Sequence, residues 1–114
     1  MPLLLKTSFW FAATLIGVLS LLPVPYLPPQ AFDVWDKAQH AGAFAGLAIL
    51  CHTAYKNLRW RLSLALLAYG AAIELAQSAT GWRYGDWLDL LADALGILVG
   101  GGIVACLRHI KRPR

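Results

Sequence analysis

Glu74, Gln77, Arg83, Asp86, Asp89 and Asp93 all stand in the stretch IELAQSATGWRYGDWLDLLAD, residues 73–93. A second polar group, Asp36, Lys37 and His40, opens the segment DKAQHAGAFAGLAIL. Carboxylates beside an imidazole are the parts from which proton-transfer sites are built. The planar guanidinium of Arg83 and the ammonium of Lys37 suit a phosphate or carboxylate ligand. Spacing groups these residues further, because positions three or four apart share one face of a helix. Asp36 and His40 are four apart, and Glu74 and Gln77 three apart, on a stripe that continues through Gly70 and Ser63. Asp86, Asp89 and Asp93 follow at three and four, and their face runs on through Gly96 and Gly100. His40, Glu74 and Asp89 are therefore the candidate catalytic residues. Asp36, Lys37, Gln77, Arg83, Asp86 and Asp93 are the candidates for binding.

Each has a plainer use to set beside the chemical one. Asp86 is well placed to cap a helix, Asp36 to hydrogen-bond His40, Gln77 to tie two helices together and Arg83 to neutralise Asp86. His52, His109 and Asp33 lie off these faces and read as solvated or interfacial, and Tyr69 reads as packing. The acids and His40 together offer donors for a hard or borderline divalent ion. Their spacing along the chain matches no metal motif, so none is assigned from sequence. No cofactor is identified either: GILVGGG lies within an apolar run without a lysine, and there is no nucleophile elbow.

The elements that must position these groups are membrane helices. The chain has 114 residues, 59% of them apolar, and a mean hydropathy of +0.58. Only 14% are charged, against about 25% in a soluble domain. A bilayer span needs about 20 mostly apolar residues, and four segments qualify: residues 3–22, 38–55, 62–80 and 87–107. They predict one all-α domain over residues 1–114, a four-helix transmembrane bundle. The first segment follows Lys6 as in a signal peptide, but no small-residue cleavage site follows it, and it is read as retained. Small residues at helical spacing allow close approach of membrane helices, so the Gly96–Gly100 face is expected to turn inward. Gly42 and Gly46 form a second such pair, nearly opposite His40 and suited to another neighbour. These glycine faces leave the oligomeric state open.

Lysine and arginine set the orientation. With the N-terminus cytoplasmic, the inner side holds Lys6, Lys56, Arg59, Arg61, Arg108, Lys111, Arg112 and Arg114, and the outer side only Lys37 and Arg83. Both termini are thus expected in the cytoplasm, where Cys51 and Cys106 stay reduced. The acids, Asp33 apart, fall into one layer at the extracytoplasmic surface, forming a pocket that opens outward. An unpaired charge at mid-bilayer costs ~2.5–3.5 kcal/mol or more, and less toward the interface. The acids must therefore be protonated, paired with Lys37, Arg83 or His40, or matched to a cation. The basic residues cluster on no soluble module, which excludes nucleic acid as a partner.

DKAQHAGAFAGLAIL resembles the DK-x-x-H-x-x-x-F-x-x-L helix of VanZ-like membrane proteins. IELAQ…WRYGDWLDLLADALGILVG is similar to the block that follows it, E-x-x-Q … R-x-x-D-x-x-D-x-x-x-N-x-x-G-x-x-x-G. The resemblance covers residues 36–100, with the elements in the same order. One position departs from it: Asp93 stands where that pattern has asparagine. The resemblance implies a small multi-pass protein of the bacterial cytoplasmic membrane, in a family whose founding member is associated with teicoplanin resistance.

Three readings of function follow. The first is an enzyme or lipid-handling protein acting on an envelope lipid or lipid-linked precursor, with Arg83 and Lys37 holding an anionic headgroup and His40, Glu74 and Asp89 moving protons. The second is a binding or shielding protein that alters antibiotic access without chemistry. The third is a small proton-coupled transporter. All three take membrane lipids as partners.

Overall fold

The computed structural model describes residues 2–22, 34–56, 59–81 and 86–113, with the backbone alone for Val34, Trp35, Asp36 and Arg59. Four helices account for nearly all of it: α1 (Pro2–Leu21), α2 (Val34–Ala54), α3 (Arg59–Thr80) and α4 (Trp87–Ile110). No strand occurs among the described residues. The helices stop where local chemistry stops them. Pro23 follows the end of α1, and a proline cannot supply the backbone donor that another turn requires. Gly81 follows α3 at φ +80°, the left-handed geometry that closes many helices. Asp86 caps α4 from an extended backbone, its side chain accepting from the Leu88 N–H at 2.9 Å.

The chain runs up, down, up and down. The ends of α1 and α3 meet the starts of α2 and α4, as the Gln77–Ser20, Glu74–Asp86 and Lys37–Asp86 contacts show. At the other end the start of α1 lies against the end of α2, where the Trp10 indole donates to the Tyr55 hydroxyl at 3.1 Å. Lys6 sits over the same Tyr55 ring, 5.0 Å from its centroid. One end of the bundle is therefore acidic, with Glu74, Asp86, Asp89 and Asp93, and the other basic, with Lys6, Lys56, Arg61, Arg108 and Lys111.

Three helices, α1, α4 and residues 60–80 of α3, are long and apolar enough to cross a membrane. The fourth expected span, α2, has the length at 21 residues but not the apolarity. Lys37, Gln39, His40 and His52 dilute it, and the other three helices pack around it. Burial runs opposite to that of a soluble bundle. Glu74, Gln77, Asp89 and Asp93 are 8, 1, 5 and 0% exposed, while Leu75 and Leu98 are 73 and 70% exposed. Outward leucines around an inward polar layer suit a lipid solvent. The apolar core lies beyond that layer, with Phe9 and Ala13 of α1, Phe44, Leu47 and Cys51 of α2, Leu66 and Ile73 of α3, and Ile97 of α4.

The most extensive contact is between α2 and α4, whereas α1 packs against α2 and α3. Gly96 and Gly100 carry it, as expected from their spacing with Asp89 and Asp93. A β-carbon on Gly96 would collide with the Ala41 carbonyl, and one on Gly100 with the Ala45 carbonyl and the Ala48 methyl. The partner stripe on α2 is thus Ala41, Ala45 and Ala48. Gly42 and Gly46, expected to meet another helix, are exposed, and a β-carbon on either meets nothing within 4 Å. With α2 rotated to lay its alanines on α4, the two glycines turn away from the rest of the bundle.

This packing separates glycines that a composition count would treat alike. Gly96→Ala and Gly100→Ala should each destabilise the detergent-solubilised protein by roughly 1–3 kcal/mol, the usual cost of overpacking. Gly42→Ala should be neutral or stabilising by up to about 1 kcal/mol, because alanine is the better helix former. Equilibrium unfolding followed by helical circular dichroism reads both, and equal effects at the three positions would contradict the α2–α4 contact.

Candidate functional site

The α2–α4 approach sets Lys37 and His40 against the first two turns of α4. The Lys37 ammonium donates to Asp86 Oδ2 at 3.0 Å and to Asp89 Oδ1 at 2.8 Å. One turn further along α2, His40 Nδ1 lies 3.1 Å from Asp93 Oδ1, and Nε2 lies 3.9 Å from Asp89 Oδ2. A carboxylate can only accept, so with Asp93 ionised Nδ1 carries the proton. The second lone-pair position of the ring, Nε2, then faces Asp89.

Glu74 reaches the same place from α3. Its Oε2 accepts from the Asp86 backbone N–H at 2.7 Å, and its Oε1 is buried without a hydrogen-bond partner among the described residues. One donor atom from each of His40, Glu74 and Asp89 lies within 4.8 Å of the others. The three candidate catalytic residues, drawn from three helices, thus meet in one cluster.

Asp93, which stands where the resemblance has asparagine, serves here as an acceptor for His40. Its Oδ2 has no hydrogen-bond partner among the described residues and lies against Gly70. A β-carbon at Gly70 would come within 2.8 Å of that oxygen and 3.5 Å of the Asp93 β-carbon. A methyl there would press on the carboxyl, so the glycine lets α3 pass close over the acid. Asp86 sits at the mouth of the cluster, outside the spanning segments. The Leu88 N–H first, then the Lys37 ammonium, hold its carboxyl below the usual carboxylate range.

Gln77 faces the neighbouring helix instead. Its amide donates to the Ser20 carbonyl of α1 at 2.8 Å, and its Oε1 is buried without a hydrogen-bond partner among the described residues. In this structure it ties α3 to α1. Asp36 occupies the helical position one turn before His40, but its side chain lies outside the described atoms, and Arg83 lies outside the described residues. The Lys37 ammonium is shared between two carboxylates, which leaves it little capacity for an anionic ligand.

His52, read from sequence as solvated or interfacial, is buried at 6% exposure. Its Nδ1 donates to the Ala48 carbonyl at 2.8 Å, and Ser63 Oγ lies 3.3 Å from Nε2. The Arg108 guanidinium donates to the His52 carbonyl. A legible signal was present: Ala41, Ala45, Ala48 and His52 are spaced four, three and four, so His52 ends the stripe that packs on α4. His52, Ser63 and Arg108 line a groove of about 400 Å³ toward the basic end. A more apolar groove of about 520 Å³, lined by Leu64, Leu67, Ala94 and Leu98, shares walls with it. Ser63 and Glu74 are separated along α3 by roughly 16 Å, so these grooves are distinct from the acidic cluster.

A sequence model of the VanZ/LLP1 family matches residues 4–108, nearly the whole chain. Comparison with curated proteins and with solved structures gave no match.

The Asp86 contacts carry a pH dependence of definite sign. A carboxyl depressed on folding adds stability above its unfolded pKa, about 3.9. That contribution is lost as pH falls through the lower folded value. Asp86→Asn keeps the helix cap, since asparagine caps as well as aspartate, but removes the charge opposite Lys37. The wild type should therefore unfold at higher temperature than Asp86→Asn near neutral pH, and the gap should narrow below about pH 4. Thermal melts of the two proteins across that range provide the check. A gap that stays constant or widens on acidification would contradict the Lys37–Asp86 pairing.

Proposed function

The chain belongs to the VanZ/LLP1 family, and from that premise we propose that this VanZ-like membrane protein acts at the extracytoplasmic face of the bacterial cytoplasmic membrane. Its ligand is the polar headgroup of an envelope lipid or lipid-linked cell-wall precursor, and its action lowers susceptibility to glycopeptides such as teicoplanin. The convergence of His40, Glu74 and Asp89 from three helices carries this reading. In the orientation proposed, both termini are cytoplasmic. Eight of the ten lysines and arginines lie at the ends of the helices that this places inside, in keeping with the excess of positive charge on cytoplasmic loops.

Within the cluster each residue has a separate task. Asp93 holds the His40 ring with Nε2 toward Asp89, where it can exchange a proton with that acid, Glu74 or a ligand hydroxyl. Glu74, largely desolvated and with one oxygen uncommitted, is the acid best placed to gain or lose a proton as a ligand enters. Arg83, in the connection between α3 and α4, supplies the fork for a phosphate or carboxylate, a role that Lys37 is poorly free to take. A general acid or base so placed is typically worth 10²–10⁴-fold in rate.

The test compares cells expressing wild-type protein with cells expressing Glu74→Gln or His40→Ala at equal membrane abundance. The wild type is expected to change the profile of envelope lipids and lipid-linked precursors by mass spectrometry and to raise the inhibitory concentration of teicoplanin. Both variants should lose both effects. Unchanged resistance in both variants, with no difference in lipid or precursor profile, would sink the proton-transfer role. Resistance retained with altered profiles abolished would instead favour binding without chemistry.

A further inference from the structure

We propose that His40, Glu74 and Asp89 bind a divalent cation of the zinc or manganese type, held where α2, α3 and α4 meet. This rests on the same cluster as the proposed function, with His40 Nε2 and Glu74 serving as ligands in place of the proton-exchange roles given above, and the binding itself requires no knowledge of the substrate. An imidazole with two carboxylates is a donor set for borderline divalent ions. Three protein ligands with a remaining position for water is also the usual arrangement of a catalytic zinc site. The linear spacing of 40, 74 and 89 conceals the site, because each donor comes from a different helix.

The independent sign of a missing ligand is Glu74. It is more than nine-tenths buried, and its Oε1 has no hydrogen-bond partner among the described residues. A buried polar atom left unpaired costs about 1–3 kcal/mol, and more if charged, so an acid would not be held there without something to meet. Donors about 2.1 Å from a tetrahedral ion stand roughly 3.4 Å apart. The observed spread of up to 4.8 Å closes to that through small side-chain rotations.

Each prospective ligand is also pinned through its other polar atom. Asp93 holds His40 Nδ1, Lys37 holds Asp89 Oδ1, and the Asp86 N–H holds Glu74 Oε2. On the facing side, His40 Nε2 lies 3.9 Å from Asp89 Oδ2, and Glu74 Oε1 is buried without a hydrogen-bond partner among the described residues. A ligating histidine whose other nitrogen donates to a carboxylate is the usual outer support of a bound metal. Charge points the same way. Among the described side chains, Glu74, Asp86, Asp89 and Asp93 face only one ammonium, that of Lys37, and a dication supplies the positive charge that a low-dielectric site requires. With the ion bound, an acidic cluster becomes a receptor for an anionic headgroup.

Purified full-length protein in detergent, stripped with chelator and dialysed, should take up close to one Zn²⁺ or Mn²⁺ per chain by elemental analysis and calorimetry. Co²⁺ should give the visible bands of a nitrogen- and oxygen-ligated site. Glu74→Gln and His40→Ala should each weaken binding at least tenfold. Asp93→Asn, which alters only the support of His40, should weaken it about 10–100-fold. His109→Ala, at an exposed position outside the cluster, should bind like wild type, and helical circular dichroism confirms that every variant is folded. Binding no higher than in chelator-treated blanks would overturn the proposal, as would folded Glu74→Gln protein binding as tightly as wild type. Stoichiometric binding by a protein that leaves lipids, precursors and resistance unchanged would uphold the metal site and overturn the proposed function. The reverse pattern would do the opposite.

Discussion

The close approach of α2 to α4 is the constraint on which the rest of this structure depends. Where a β-carbon would stand on Gly96 and Gly100, backbone atoms of Ala41 and Ala45 stand instead. In lipid, where apolar surface gains little by leaving one neighbour for another, such small-residue packing is a principal source of helix association. It also sets the register of everything nearer the acidic end. With Ala41 locked onto Gly96, His40 meets Asp93 and Lys37 meets Asp86 and Asp89. A shift of one helical turn would break the Lys37–Asp86 and His40–Asp93 contacts as they stand.

Charge then explains why the polar residues are gathered and not scattered. A lone carboxylate among membrane helices is costly, and removing one partner of a buried pair leaves the other uncompensated. The protein answers by joining α2, α3 and α4 through one network. Lys37 bridges two aspartates, His40 takes a third, and Glu74 is tied to the cap of α4 through the Asp86 N–H. The network is nevertheless incomplete. Glu74 Oε1 and Asp93 Oδ2 remain buried without a hydrogen-bond partner among the described residues, and orphaned buried groups of this kind are rare in native structures.

Much of the fold was legible in the sequence, because the bilayer leaves few solutions. The expected spans 3–22, 38–55, 62–80 and 87–107 fall on helices bounded at Pro2–Leu21, Val34–Ala54, Arg59–Thr80 and Trp87–Ile110. The inward face of α4 was legible too, since Asp89, Asp93, Gly96 and Gly100 share one side of a single helix. Spacing within a helix does not report that helix's rotation against its neighbours, and there the reading failed. Gly42 and Gly46 looked like a contact pair and are open, while the alanine stripe does the packing. His52 looked interfacial and is buried, because it continues that stripe. The meeting of Glu74 with His40 and Asp89 crosses three helices, so no local pattern could encode it. Asp36 and Arg83 matched the family pattern, but the described atoms do not include their side chains.

The central claim is that polar side chains of different helices neutralise one another at the acidic end, and the His40–Asp93 pair offers its most direct test. The measurement is a double-mutant cycle of His40→Ala and Asp93→Ala, read by equilibrium unfolding of the detergent-solubilised protein. Residues in contact within one network show coupling of about 0.5–3 kcal/mol, whereas separate sites add within about 0.3–0.5 kcal/mol. Burial of the pair, with Asp93 fully enclosed, predicts coupling above about 1 kcal/mol, with the double variant less damaged than the two single losses together. Simple additivity would mean that the two side chains do not meet, and would contradict the account.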